Sequence, residues 1–481
     1  MGLLSGIRFV LYSAGVVCVE YAKYKCRCWT IRAFSQTTRQ PPPKTATAEL
    51  ALTDCFNEMI KTIGTKFAAT NIYYIKMFQA LAYSADFAAN DELIAYFRDY
   101  TDNVAFTASE FDVSKLAEMS EYAKTIGYEL SFFGDGGCGG GSTMIEPARA
   151  GSISLVFYGT IRKIERTQQS QQPQQPQQQP TPIVVKYLRA NMRRRVLDSI
   201  DDFKYLVWCL NKIPSLRYLH LNDIYNEQRV LMMDQLDFAK EVACIGEVYE
   251  NCKETRCIKV PIAYPEFTAK FPNIIVMERI MGKTLDQLGD DVKDHFCHIL
   301  ARGLVKTVFI DGLYHCDLHP GNVLFIENEC ATNGGDGDGV KYRIGLLDFG
   351  IIGRLTVDEQ EITYQVFHSI LNKDAERTIA TLMESYTEPV DVSREYNRNE
   401  PEMNDVLVQY TREMMKTVVT CFSAENLCFI NKQLIKHNLK IARSFTKFEL
   451  SLSVCDNLCK KLAVNRSYMN HLTEIISDVF E

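Results

Sequence analysis

The sequence predicts an α+β fold with two lobes: a small β-rich N-terminal lobe, preceded by an added helical layer, and a large, mostly helical C-terminal lobe. Two observations predict this. Residues 49–127 and most of the last hundred residues repeat apolar side chains at steps of three and four, which is typical of helices. Residues 151–161 and 182–187 are rich in β-branched or aromatic side chains, which favours strands.

The composition is that of a globular chain with reduced cysteines. Of the 481 residues, 46% are hydrophobic and 23% are charged, and the net charge of −7 argues against nucleic acid as a partner. The 16 cysteines are scattered, so we interpret them as reduced thiols, mostly in the core. His295, Cys297 and His298 suggest a metal site, but one short helical stretch rarely supplies four ligands, so no metal is predicted there.

Two polar segments have the spacing of a kinase active site. Residues 315–322 read HCDLHPGN, and residues 346–350 read LLDFG. Phosphoryl transfer from ATP needs a carboxylate near the attacking hydroxyl and oxygen ligands for magnesium. We therefore predict a bilobal protein-kinase-like fold that binds ATP and Mg²⁺, in which Asp317 is the base or positions the hydroxyl, and Asn322 and Asp348 bind the metal. Either segment alone could be an ordinary loop, since Asp and Asn favour turns.

The second predicted strand carries a candidate phosphate-binding lysine. Lys186 follows two valines, which is how a kinase N-lobe presents such a lysine. A carboxylate on a helix holds that lysine in place. Residues 223–250 are predicted as one helix, in which Glu241 is the first candidate for this partner. Asp237, one turn earlier on the same face, is the second, and a solvated helix face is the alternative.

A hinge and three insertions complete the predicted kinase-like part. Residues 274–277 are an apolar segment predicted as a strand that leads into an inter-lobe hinge. Backbone groups of Met277, Glu278 and Ile280 are candidates for binding adenine. Flexible insertions are predicted where Gly, or Gln and Pro, dominate the sequence, at 134–141, 168–180 and 331–339.

The N-terminus combines an apolar run at 9–19 with basic residues after it. A signal anchor, an organelle transit peptide and a core helix all fit this pattern, and we favour the first two without separating them. The predicted domains are an anchor or targeting segment and linker, a helical extension, an N-lobe with insertions and a helical C-lobe, at 1–48, 49–133, 134–280 and 281–481.

These features resemble the UbiB (AarF) family of protein-kinase-like proteins over about residues 62–469. The most specific match is HCDLHPGNVL at 315–324, with LLDFG at 346–350 and GRL at 353–355. In the helical extension, Lys76 and Gln79 match the two ends of the family's Lys-x-Gly-Gln motif, and Phe78 replaces its glycine.

Other family motifs are kept in part. Ala150, Gly151 and Ser152 resemble the family's nucleotide-binding loop, and Lys186 and Glu241 match its strand lysine and helix glutamate. Asp237 matches the second carboxylate of its Glu-x-Asp motif, whose first carboxylate is replaced by Gln235. The resemblance thus implies intact ATP and magnesium residues and an altered extension.

The resemblance also implies a function. It is that of a membrane-associated atypical kinase or ATPase, at a mitochondrial or other organelle membrane, that supports coenzyme Q biosynthesis or lipid metabolism. A membrane surface, an isoprenoid lipid or proteins of coenzyme Q biosynthesis are the implied partners. Two alternatives stay open: a catalytically weak, nucleotide-binding pseudokinase scaffold, and a small-molecule kinase of the aminoglycoside or choline type. The phosphoryl acceptor and the oligomeric state are not predicted.

Overall fold

A computed structural model describes residues 2–37, 46–75, 93, 96, 104, 106–133, 146–164, 179–212, 221–327, 341–389, 401–416, 429–430, 433–465 and 468–480. The chain divides into two compact units. The first contains Met1–Phe106, Ala150–Ile153 and Asn191–Met233, and the second contains Thr107–Arg149, Ser154–Ala190 and Asp234–Glu481.

The described helices and strands have the following bounds. The helices are α1 (Gly2–Thr37), α2 (Ala46–Thr70), α3 (Val113–Thr125), α4 (Met192–Leu210), α5 (Leu221–Asp234), α6 (Phe238–Cys252), α7 (Pro265–Lys270), α8 (Asp290–Val305), α9 (Val357–Leu371), α10 (Ala375–Ser385), α11 (Pro401–Lys416), α12 (Arg443–Leu462) and α13 (Tyr468–Phe480). The strands are β1 (Tyr128–Phe133), β2 (Arg149–Ala150), β3 (Ser154–Lys163), β4 (Thr181–Leu188), β5 (Ile258–Lys259), β6 (Ile274–Glu278), β7 (Leu313–His315), β8 (Val323–Glu327), β9 (Tyr342–Leu346), β10 (Ile352–Arg354), β11 (Thr387–Pro389) and β12 (Leu439–Ile441).

Aromatic side chains build the core of the first unit. The ring of Phe9 on α1 lies 5.7 Å from Tyr74 and 6.3 Å from Phe203 of α4, measured between ring centroids. Glu20, buried on the same helix, accepts a hydrogen bond of 2.7 Å from Lys66, because a buried carboxylate needs a compensating partner. The apolar run at 9–19 therefore supplies core contacts in this unit. Among the described helices, none is both long and apolar enough to cross a bilayer.

An antiparallel sheet forms the first part of the second unit. Its strand order is β1-β3-β4-β6, and Lys186 on β4 lies opposite Val156 on β3 and Ile275 on β6. Ile183 and Val185 point to the buried face, so Lys186, between Val185 and Tyr187, points to the other face. The predicted strands at 151–161, 182–187 and 274–277 are confirmed, although β3 begins only at Ser154.

The single helix predicted for residues 223–250 is wrong. It is two helices, α5 and α6, with a break at 235–237. Asp237 is the N-cap of α6, and its carboxylate accepts a hydrogen bond of 3.0 Å from the backbone N–H of Lys240. Apolar side chains continue through the break, so periodicity did not reveal it. The N-cap role explains why Asp237 does not share a helix face with Glu241.

Short ribbons in the helical part carry the two predicted loops. The antiparallel pair β7–β10 joins residue 315 to residue 352, and β8 pairs with β9 beside β5. Tyr314 on β7 is buried and packs edge-on against Phe448 of α12, with ring centroids 5.1 Å apart. The β7 strand is therefore held by the core of the C-terminal helices. The predicted α+β class, with strands first, helices after them and an N-terminal helical region, is confirmed.

Gly353 tests the packing of the β7–β10 ribbon. It lies opposite Tyr314, and a Cβ added at this position would overlap the tyrosine ring. We expect Gly353→Ala to lower the free energy of unfolding by about 1–3 kcal/mol, because a packed ring has no room to move. Chemical unfolding followed by circular dichroism measures the change.

Gly246 provides the matched control. It is exposed on α6, and an added Cβ would have no neighbouring atom within 4 Å. Gly246→Ala should raise the free energy of unfolding by about 0.5–1 kcal/mol, since glycine loses more backbone freedom in a helix. Equal stability of wild type and Gly353→Ala would contradict the described packing of Tyr314.

Candidate active site

Three charged side chains from three elements meet in the second unit. Lys186 Nζ on β4 lies 2.7 and 3.0 Å from the two carboxylate oxygens of Glu241 on α6, and 3.1 Å from Asp348 Oδ2. The Glu241 side chain is 1% exposed, that of Lys186 is 13% exposed and that of Asp348 is 37% exposed. The structure therefore brings together the predicted lysine, its first-choice partner and a predicted metal ligand, although 162 residues separate Lys186 from Asp348.

The local fold explains why this cluster forms. Glu241 stands one turn into α6, whose start is fixed by the Asp237 cap. Phe349, next to Asp348, donates its backbone N–H to the Glu241 carboxylate. Gly350 donates its N–H to Asp348 Oδ1 at 2.9 Å, so the other oxygen of Asp348 turns toward the lysine. Both carboxylates of the cluster thus have at least one donor, as charges removed from water require.

The cluster combines one ammonium with two carboxylates, and the pKa values of its members reflect this excess of negative charge. Burial lowers the pKa of Lys186, but the charges of Asp348 and Glu241 outweigh burial and raise it above its ordinary value. For Asp348, burial alone would raise the pKa; the Lys186 charge and the Gly350 N–H instead hold it well below its usual range. Burial raises the pKa of Glu241 to about 7, against the attraction of Lys186. The cluster therefore favours an added cation beside Asp348.

Asn322 lies beside Asp348 because of strand pairing. Val323 on β8 is opposite Leu346 on β9, and the N–H of Leu347 donates to the carbonyl of Asn322 at 3.1 Å. The Asn322 amide Nδ2 donates to the backbone carbonyl of Asp317 at 2.9 Å. This bond turns the amide oxygen of Asn322 away from that carbonyl, so the oxygen can serve as a metal ligand, as magnesium prefers.

His315 connects the two loops, and the sequence interpretation did not assign it a role. Its Nδ1 accepts the backbone N–H of Asp317 at 3.1 Å, so its Nε2 carries the hydrogen and donates to the backbone carbonyl of Asp348. Burial lowers the pKa of His315, which favours this neutral form. Ser451 of α12 donates to the backbone carbonyl of His315 at 2.8 Å. His315 opens the catalytic motif and could have been noticed there; Ser451 has no signal in the sequence.

Asp317 itself is accessible. Its side chain is 37% exposed, and His319 Nε2 lies 3.8 Å from its Oδ2. The His319 Nδ1 accepts the backbone N–H of Gly321 at 3.0 Å, which fixes the ring. A half-exposed carboxylate beside an ordered loop can accept a proton from an incoming hydroxyl group.

Gln235 is a further residue at this cluster. Its Cγ lies 3.6 Å from the position of a Cβ added at Gly350, directly behind the metal loop. Its amide oxygen Oε1 is buried and has no hydrogen-bond partner among the described residues. A buried acceptor without a partner costs free energy, so it fits a site that receives a cation or a water.

The predicted hinge is only partly available to a ligand. Met277 and Ile280 are buried, and the backbone N–H of Glu278 donates to the carbonyl of Ile262 at 2.8 Å. The Glu278 carboxylate forms an ion pair of 2.7 Å with Lys259. Glu278 therefore cannot offer its N–H to adenine in this arrangement, and its role as an adenine contact stays a prediction.

The remaining predicted site residues lie in the first unit or outside the described residues. Ala150, Gly151 and Ser152 belong to the first unit, where the carbonyl of Ala150 accepts the N–H of Val104 at 2.9 Å. Lys76 and Gln79 lie outside the described residues. Their roles, and those of the nucleotide loop, stay predictions.

Comparison with known proteins agrees with this geometry. Residues 176–382 match the ABC1 atypical kinase-like domain, and this range includes Lys186, Glu241, Asp317, Asn322 and Asp348. The chain therefore carries an ABC1 atypical kinase-like domain, and the predicted resemblance is confirmed at that level.

Two relatives and one solved structure illustrate the similarity. A "Probable protein kinase UbiB" from Glaesserella parasuis serovar 5 (strain SH0165) is 30% identical over 220 residues, which are 44% of this chain and 37% of that protein. "Protein ACTIVITY OF BC1 COMPLEX KINASE 8, chloroplastic" from Arabidopsis thaliana is 27% identical over 167 residues, 34% of this chain and 20% of that protein. The structure of the complex of Rv3197 with erythromycin from Mycobacterium tuberculosis covers 90% of this chain and 97% of its own, with a TM-score of 0.44 and 15% identity. The chain thus matches little more than a third of the bacterial relative's length.

The raised pKa of Glu241 predicts an unusual pH dependence of stability. Because the folded pKa of about 7 exceeds the ordinary value of 4.5, the folded chain holds a proton that the unfolded chain has lost between these values. This contribution to stability is complete below pH 4.5 and disappears as the pH rises through 7, a loss of about 3 kcal/mol. Glu241→Gln removes the titrating group, so its melting temperature relative to wild type should rise between pH 5 and pH 8.

Thermal unfolding across this pH range, without nucleotide, measures the difference. Glu250→Gln is the control, because Glu250 lies on the same helix but its side chain is exposed and pairs with Lys253 on the surface. If the difference in melting temperature between Glu241→Gln and wild type stayed constant from pH 5 to pH 8, the described burial of Glu241 beside a second carboxylate would be contradicted.

Proposed function

We propose that this chain, through its ABC1 atypical kinase-like domain, binds ATP with Mg²⁺ and either transfers the terminal phosphoryl group or hydrolyses ATP. The observation that carries the proposal is the meeting of Lys186 with Glu241 and Asp348, next to Asn322. Phosphoryl transfer depends on positioning and charge stabilisation more than on covalent chemistry, and these groups supply both.

Each residue has a role that its surroundings support. Lys186 would donate to the α- and β-phosphates, and Glu241, which is buried and cannot move far, would keep the ammonium in place. Asp348 and Asn322, with Gln235 behind them, offer the oxygens that would hold magnesium. The ion, when bound, compensates the charge of the phosphates.

Asp317 completes the proposed chemistry. Its half-exposed carboxylate would accept the proton of an attacking hydroxyl or water, and its backbone is fixed to Asp348 through His315. Because the two loops are joined through one ring, the base and the metal ligand keep a constant separation. That constancy supports a reaction in which the reacting groups must be in line.

The site of action and the substrate class are also part of the proposal. We infer that the protein acts at a membrane, in a mitochondrion or another organelle, and supports coenzyme Q or lipid metabolism, with an isoprenoid lipid or proteins of that biosynthesis as partners. The family resemblance supports this. The exposed apolar side chains Leu11 and Trp29 on α1 are compatible with a membrane surface. The chain's net charge of −7 disfavours nucleic acid.

A pseudokinase scaffold is the second candidate function. Asp348 already pairs with Lys186, so magnesium would have to displace an ion pair. Gln235 stands where the family has a carboxylate, so one fewer negative charge is available to attract the ion. The small-molecule kinase alternative is weakened by the Asp-Phe-Gly loop and by the match to the ABC1 domain.

Nucleotide binding is tested with the metal loop. We expect Mg²⁺ and ATP together to raise the melting temperature of the wild type. Asp348→Asn should abolish the magnesium-dependent part, because the amide lacks the charge that binds the ion. Asp358→Asn, an exposed position in the first turn of α9, is the control and should behave as wild type. If Asp348→Asn is protected as well as wild type, the metal-loop assignment is wrong.

Catalysis at a membrane is tested separately. We expect the purified protein to hydrolyse ATP faster with liposomes that contain anionic or isoprenoid lipids than without them. Asp317→Asn should lower the rate at least about a hundredfold while nucleotide protection persists, since the base is lost and the phosphate contacts remain. Nucleotide protection without any turnover, under all lipid conditions, would favour the scaffold. Turnover of a soluble aminoalcohol without lipid would favour the small-molecule kinase.

A further inference from the structure

Three metal-binding side chains meet between two helices of the second unit. His298 on α8 and His471 and Glu474 on α13 each offer one ligand atom, and these atoms all lie within 4.8 Å of one another. The two imidazole rings meet edge to face, with centroids 5.6 Å apart and planes at 72°. None of these residues belongs to the nucleotide site.

Helix geometry explains why α13 contributes two ligands. His471 and Glu474 are three residues apart, so they lie on the same face, one turn above the other. The neighbouring Leu472, Ile475 and Ile476 are buried in a core that also contains Val305, the last residue of α8. Apolar packing therefore fixes α13 against α8 whether or not an ion is present, and the three ligands are brought near each other in advance.

The fold also separates His298 from the neighbours that suggested a metal site in the sequence. His295 stacks on Tyr342, with ring centroids 5.1 Å apart, and Cys297 is fully buried with its Sγ directed to the carbonyl of Cys459. His298 alone of the three turns toward α13. One helix does not have to supply every ligand here, since His471 and Glu474 come from 173 and 176 residues later in the chain.

Burial gives the cluster an inner and an outer side. His471 is 3% exposed, His298 is half-buried and Glu474 is exposed. A cation would therefore bind with two imidazoles on the protein side and a carboxylate at the solvent edge, where water can complete the coordination. Two imidazoles and one carboxylate are a common ligand set for zinc. Magnesium and calcium prefer oxygen ligands throughout and do not suit two nitrogens.

We propose that His298, His471 and Glu474 form a zinc site that joins α13 to α8. Ligands of tetrahedral zinc lie about 2.0–2.2 Å from the ion and hence about 3.4 Å from each other. Side-chain rotations that move the ligand atoms by about 1 Å would bring them to this spacing. The consequence is structural. The chain continues from α8 through Lys306–Ile310 to β7 and His315. An ion bound here would therefore stabilise the helix that precedes the predicted catalytic loop.

Metal binding is measured on the full chain after removal of metal with a chelator. We expect about one equivalent of zinc to bind. A hundredfold excess over the dissociation constant should raise the melting temperature by about 3 °C, since the ion binds only the folded chain. With Co²⁺ as the probe, we expect visible d–d bands without a thiolate charge-transfer band, because no cysteine is a ligand. The charge-transfer band is a necessary check, because exposed thiols such as Cys26 would produce it if they bound the metal.

Variants decide whether this cluster is the site. Glu474→Gln and His298→Ala change an exposed and a half-buried side chain, so both should fold, and each should weaken zinc binding at least about a hundredfold. His295→Ala, on the same helix but stacked on Tyr342, should bind as wild type. Asp348→Asn should also bind as wild type, which separates this site from the nucleotide site. The proposal fails if Glu474→Gln and His298→Ala retain wild-type affinity, if Asp348→Asn abolishes binding, or if the cobalt spectrum shows thiolate ligation.

Discussion

The second unit depends on one interaction, the pairing of the largely buried Lys186 ammonium with two carboxylates. A charge removed from water costs several kcal/mol unless it is paired. A strand, a helix and a loop must therefore come together for the chain to fold with Lys186 in place. In the proposed function, a divalent cation bound at Asp348 would leave Lys186 paired with Glu241 and able to donate to a phosphate. The excess of negative charge in the cluster is what would favour that cation.

The rest of the kinase-like domain keeps this cluster in register. Strand pairing sets Asn322 beside Asp348, and the ring of His315 fixes Asp317 relative to both. Such hydrogen bonds keep their geometry only when the elements that carry them are rigid. Support comes from the C-terminal helices: α12 places Ser451 against His315, and the core under α8 and α13 packs around Tyr314. The proposed zinc site would strengthen that support from the middle of α8, where His298 lies.

The departures of this chain from the family pattern act on the same charge balance. Gln235 keeps an oxygen near the metal loop but gives up the negative charge that a glutamate would bring. With a glutamate there, the cluster would hold three carboxylates and one ammonium, and it would need a cation more strongly. Gln235 therefore adds an oxygen without a negative charge, and this is why the proposed function keeps a nucleotide-binding scaffold as its second candidate.

The two site loops, the strands β3, β4 and β6 and the identity of the charged site residues could be predicted from the sequence, because these depend on short-range patterns. Asp317, Asn322 and Asp348 stand in motifs a few residues long, and β4 and β6 show their composition directly. The prediction failed at the break between α5 and α6, where apolar residues continue across an aspartate that caps the second helix. Three contacts became visible only in the folded chain: Asp348 shares Lys186 with Glu241, His315 joins the two loops, and His298 meets His471 and Glu474. These contacts join residues that are distant in the chain, and the role of His315 also depends on which ring nitrogen faces which partner. A local sequence pattern contains neither kind of information.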